Sequence, residues 1–126
     1  MLALLLGLTA PSLAVTPAAP RVDYPGVVTP DGKWWELEVL YDSGDLEGGL
    51  KRTKELRAQY PKDPDLIWHE VRFMFEIGEL VPRTTKTFDK VAWYQQMYDL
   101  ANEGLAIDPH NGHLLFARGI ARRGWP

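Results

Sequence analysis

The chain has 126 residues, 45% of them hydrophobic and 25% charged, a balance that suits one soluble globular domain with a modest core. A formal net charge of -3 and an isoelectric point near 5.6 exclude the basic footprint that a nucleic-acid backbone requires. With no cysteine, disulfides, thiolate zinc sites, a thiol nucleophile and a lipid-modified cysteine anchor are excluded too.

Residues 1–14 read as a signal peptide. The run Leu2 to Leu8 is apolar, Pro11 follows it, and Ser12-Leu13-Ala14 supplies the small residues a signal peptidase needs, so cleavage is expected after Ala14. No Lys or Arg precedes the run, and it is shorter than the roughly 20 helical residues that span a bilayer. The expected destination is therefore outside the cytoplasm, periplasmic or secreted, without stable membrane insertion once the leader is removed. Residues 15–30 carry Pro17, Pro20, Pro25 and Pro30 with Gly26, a density that blocks helix and sheet ladders alike and predicts an extended linker.

The helical domain, residues 31–126, opens on a repeat. Pro30 to Leu46 aligns without a gap on Pro64 to Leu80, 34 residues later, a spacing typical of helix-turn-helix repeats. Pro30, Asp31, Trp34, Glu36, Gly44 and Leu46 meet Pro64, Asp65, Trp68, Glu70, Gly78 and Leu80 as identities. Leu37, Leu40, Tyr41 and Asp45 meet Val71, Met74, Phe75 and Glu79 as conservative matches. Asp31 is expected to cap a helix from Lys33 to Tyr41, with Trp34, Leu37, Leu40 and Tyr41 on one face. Gly44 ends it by taking a left-handed turn position. A second helix is expected from Leu46 to Gln59, its Gly48-Gly49 pair tolerable where two helices approach closely. Tyr60 to Pro64 then restarts the cycle.

These positions resemble the tetratricopeptide repeat: Gly44-Asp45-Leu46 falls on that family's inter-helix turn, Gly49 on its small position in the second helix and Pro61 on its closing proline. The resemblance implies an all-α solenoid of helix pairs, about two repeats and part of a third, working as a non-catalytic scaffold for protein partners.

In the second unit Asp65 is expected to cap a helix from Leu66 to Ile77, which Gly78 ends as Gly44 ended the first. Val81 to Lys86 interrupts the pattern before a long helix, Phe88 to Ile107, capped by Thr87, whose wide apolar arc predicts burial from two sides. The enlarged unit, with Trp68 in its first helix and Glu-Gly-Leu-Ala-Ile-Asp-Pro at Glu103 to Pro109, resembles the regulator of microtubule dynamics family over about Asp65 to Gly119, a likeness of fold rather than of function. Asn111-Gly112 opens a third unit with Leu114, Leu115, Phe116, Ala117 and Ile120, and no partner helix follows. The expectation is a chain truncated within its repeats, whose apolar end at Leu114, Leu115, Phe116 and Ile120 is exposed and available for self-association.

The chemistry on offer is sparse. His110 and His113 with Asp108 could be weighed as metal ligands, but two exposed histidines at a helix start without a further His or Cys predict no metal site. His69-Glu70 lacks the second histidine of a metalloprotease helix, since Phe73 stands in its place. No nucleophile elbow or phosphate loop is present, and Glu36 and Glu70 recur with the period, which predicts repeat geometry rather than an acid and base pair. The expectation is a protein with no catalytic residue and no cofactor. A protein or peptide partner is expected on the face of the first helices through Trp35, Glu36, Arg72 and Glu76, with the loop residues Arg83 and Lys86 as a second patch. Two alternatives stand beside it: the amino-terminal part of a longer structural scaffold, and a module that stacks exposed tryptophan on envelope glycans.

Overall fold

A computed structural model describes residues 33–82 and 84–124. The expected leader, the linker, the Asp31 cap and Arg83 lie outside the described residues. Among the described residues every regular element is helical: α1 Trp35–Asp42, α2 Leu46–Gln59, α3 Pro64–Leu80, α4 Lys90–Ile107 and α5 Gly112–Arg123. The all-α expectation holds.

Helix α1 starts two residues later than the apolar spacing suggested. Trp34 adopts φ 63, the left-handed region, so it stands in the turn before the helix and not on its face. Leu37 is fully buried and Glu38 nearly so. The turn that follows is as expected: Gly44 has φ 83, Asp45 N–H donates to Leu40 O at 3.0 Å and Gly44 N–H to Tyr41 O at 3.1 Å, the paired bonds of a Schellman stop. The Asp45 carboxylate then accepts from Gly48 N–H at 3.0 Å and starts α2, whose ends match those read from the sequence.

The caps of the later helices sit elsewhere than expected. Asp63, not Asp65, caps α3, because Pro64 at the first helical position has no N–H to satisfy and its fixed φ suits a helix start. Asp89, not Thr87, caps α4 by accepting from Ala92 N–H at 3.0 Å, and Thr87 and Phe88 stay in the preceding loop. Gly78 does not end α3. It is buried within the helix, which runs on to Leu80 and stops at an extended Val81 followed by Pro82. A Cβ on Gly78 would lie 2.9 Å from the Trp93 indole, and one on Gly49 would lie 2.2 Å from the Phe73 ring. Both glycines are therefore places where α3 meets a neighbour at close range.

Helix α3 is the centre of the packing. It touches α2, α4 and α5, while α4 also packs on α5. One apolar cluster joins Val71 and Met74 of α3 to Tyr94, Met97 and Ala101 of α4 and to Ala117 and Ala121 of α5. A second joins Ile67, Leu105 and Leu114. The pairing of Ile67 with Leu114 at the two helix starts sets α3 and α5 in the same direction, with α4 running back between them. The wide arc of α4 is thus covered by α3 and α5 as expected, except at its end, where Ile107 is 40% exposed. The expected exposed apolar end is only half present. Leu114 is fully buried and Ile120 half-buried, because Leu114, Ala117 and Ala121 recur at helical spacing and face the core; Leu115 and Phe116 point away and are 42% and 60% exposed.

Candidate interaction surface

Two polar clusters tie the first two helices to α3. In the first, Arg72 Nη1 of α3 lies 2.5 Å from Glu38 Oε2 of α1. The Arg72 guanidinium also stacks over the Tyr41 ring, 3.4 Å from its centroid, and the Tyr41 hydroxyl donates to Glu76 Oε2. Burial, with the Glu76 carboxylate next, raises the Tyr41 pKa, so the phenol stays a donor. His69, 1% exposed, places Nδ1 3.8 Å from the same Glu38 oxygen, too far for a hydrogen bond, and that nitrogen has no hydrogen-bond partner. Burial foremost, and then the charges of Arg72 and His113, lower its pKa to about 4, so His69 is neutral at pH 7. The second cluster centres on Arg57 of α2, which holds Glu70 of α3 at 2.8 Å and Glu103 of α4 at 2.6 Å.

The residues expected to bind a partner are distributed unevenly over this frame. Arg72 and Glu76 are brought together through Tyr41, but both are engaged within the fold. Glu36 is exposed and ion-paired with Arg52 Nε at 2.6 Å, and Trp35, half-buried, is the first residue of α1. Lys86 is exposed in the loop between α3 and α4, separate from these. Of the residues in this cluster, Tyr41 is expected on the apolar face of the first helix and His69 is weighed only as a metalloprotease ligand, while Glu38 carries no expectation, although one signal exists: Glu38 and Arg72 have opposite charge and stand 34 residues apart. Of the histidines weighed as ligands, His113 stacks on Trp68 with ring centroids 4.7 Å apart and His110 is exposed in the turn before α5. No group of three or more His, Asp or Glu able to hold a metal occurs among the described residues. Trp34, Trp35, Trp68 and Trp93 are all half-buried.

A hollow is lined by residues of α2, α3 and α4. A trough of about 680 Å³ has Leu50 of α2, Ile77 of α3 and Trp93 of α4 as its apolar floor, with Glu47, Lys51, Lys54 and Glu55 along its rim. Trp93 is fixed there by its indole N–H, which donates to Met74 O at 2.7 Å, and by the Phe88 ring at 5.2 Å. Through Glu47 and Ile77 the trough continues into a second hollow of about 450 Å³ lined by Gly44 to Glu47 and by Leu80, Val81 and Pro82. Leu80 is 72% exposed.

No family profile, curated protein or solved structure matches the chain. Among the described residues no helix is long and apolar enough to cross a membrane.

Proposed function

We propose that this protein is a non-catalytic interaction and assembly module built from helix-turn-helix repeats of the tetratricopeptide type, acting outside the cytoplasm. The observation that carries the reading is the contact between Glu38 and Arg72, which are one 34-residue period apart and bonded to each other across α1 and α3. Contact between equivalent positions is what a stack of like units produces, because each unit buries its face against its own copy. The packing of α3 and α5 in the same direction with α4 running back between them supports the same order. The export part of the proposal rests on the Leu2 to Leu8 run and the small residues ending at Ala14.

A non-catalytic module acts through its surface, so its partner should be captured from that surface. Photo-crosslinking side chains placed one at a time at Glu36, Glu47 and Lys86, all exposed, should yield discrete adducts in cells producing the full chain. A folded chain that yields no adduct from any of the three positions would refute the binding role.

A further inference from the structure

We propose that the trough beside α2 receives helix α5 of a second copy of this chain, with Leu115 and Phe116 of that helix seated on Leu50, Ile77 and Trp93. The inference builds on the interaction-module reading and names the partner. Three features of the two surfaces agree. Helix α5 presents Leu115 and Phe116, 42% and 60% exposed, on the side opposite its buried Leu114, Ala117 and Ala121. The trough offers an apolar floor that continues past Ile77 to the exposed Leu80. Apolar side chains that leave water on both partners supply the driving force.

Charge and spacing set the direction. Helix α5 ends in Arg122 and Arg123 and has no carboxylate, whereas the rim of the trough mixes Glu47 and Glu55 with Lys51 and Lys54 and the charged side chains lining the far hollow are the carboxylates of Asp45 and Glu47 alone. Along α5, Arg123 lies seven residues beyond Phe116, about 10 Å at 1.5 Å per residue; along α2, Asp45 and Glu47 lie five and three residues before Leu50, about 5–8 Å. An arginine side chain spans the difference. Laid antiparallel to α2, the incoming helix therefore puts its cationic end on the acidic start of α2 when Phe116 is seated at Leu50. That orientation also sets the carbonyl end of one helix against the amide end of the other, which favours it further.

The occupant cannot be the chain's own α5. Leu114, Ala117 and Ala121 hold that helix against α3 and α4 with Leu115 and Phe116 turned away from them, and Leu114, two residues before Phe116, packs on Leu105, twelve residues or about 18 Å along α4 from Trp93. The contact must therefore join two copies. It uses different surfaces on the two, so each copy offers one knob and one trough.

Sedimentation of the purified full chain over a concentration series tests this, with helicity and melting followed for every variant. The chain should self-associate, and Phe116→Asp, at an exposed position, should weaken association about ten-fold or more while leaving the fold intact. Glu47→Arg and Arg123→Glu should each weaken it, and both changes in one chain should restore it. A chain that stays monomeric, or one whose association ignores Phe116 and the charge reversals, overturns the proposal. A monomer that still yields crosslinked adducts with other proteins in cells would overturn self-assembly alone and leave the interaction-module reading standing.

Discussion

The two halves of the repeat begin with matching residues and put them to different uses. Gly44 turns the chain out of α1 at φ 83, while its equivalent Gly78 is buried inside α3 against Trp93. Glu36 is exposed beside Arg52, whereas Glu70 is 5% exposed and bound to Arg57. Trp34 precedes its helix in a left-handed turn, whereas Trp68 lies within α3 and stacks on His113. The cause is position in the stack. Helix α1 has eight residues and stands at one edge of the described helices, so local turn chemistry decides what its residues do. Helix α3 is covered by α2, α4 and α5, so the same residue types are recruited to packing.

The glycine pair is the sharpest place to break this comparison. Gly78→Val should cost about 3 kcal/mol, because the new side chain overlaps the Trp93 indole and endangers its bond to Met74 O. Gly44→Ala meets no neighbour and should cost about 1 kcal/mol, through its positive φ alone. Thermal melting would measure both, and equal losses would remove the distinction between a turn glycine and a contact glycine.

The buried face of α3 should also announce itself through pH. His69 titrates near 4 in the folded chain and near 6.5 when exposed, so the unfolded state takes up the proton first. Stability is then full above pH 6.5 and falls as the pH drops toward 4, by about 3 kcal/mol at the end of that window. Denaturant midpoints across pH should show this fall, and His69→Gln should flatten it; an unchanged slope would assign the acid sensitivity to other groups.

The glutamates give the smallest contrast. Glu70→Ala leaves the largely buried Arg57 with Glu103 as its remaining carboxylate and should cost about 2 kcal/mol. Glu36→Ala removes an exposed pair with Arg52 and should cost less than about 0.5 kcal/mol. Chemical denaturation of the two variants would show whether the interior copy matters more.

Much of this helix order was legible beforehand. The bounds of α2 follow from Asp45 at one end and Tyr60-Pro61 at the other, local signals that need no knowledge of neighbours. The caps at Asp63 and Asp89 each lie two positions from the residue that the sequence favours, Asp65 or Thr87, because several capping residues stand within two positions of each helix start, and backbone geometry alone selects among them. The candidate partner residues were less legible. Arg72 and Glu76 looked like an open polar face, but Glu38 and Tyr41 of the preceding unit occupy them, a contact across 34 residues that single-helix periodicity does not encode. The trough was invisible for the same reason, since Leu50, Ile77 and Trp93 come from three helices.

By itself the sequence determined the helical class, the 34-residue period, the Gly44 turn and the face that α4 buries, because each depends on residues within a turn or two of one another. Tertiary structure alone decided that Gly78 is a contact and not a stop, that His69 is buried and neutral, that Leu114 is buried while Phe116 is exposed, and where the apolar trough runs. Those outcomes depend on which helix lies alongside, and close packing between helices takes precedence over the preferences that a residue expresses within its own.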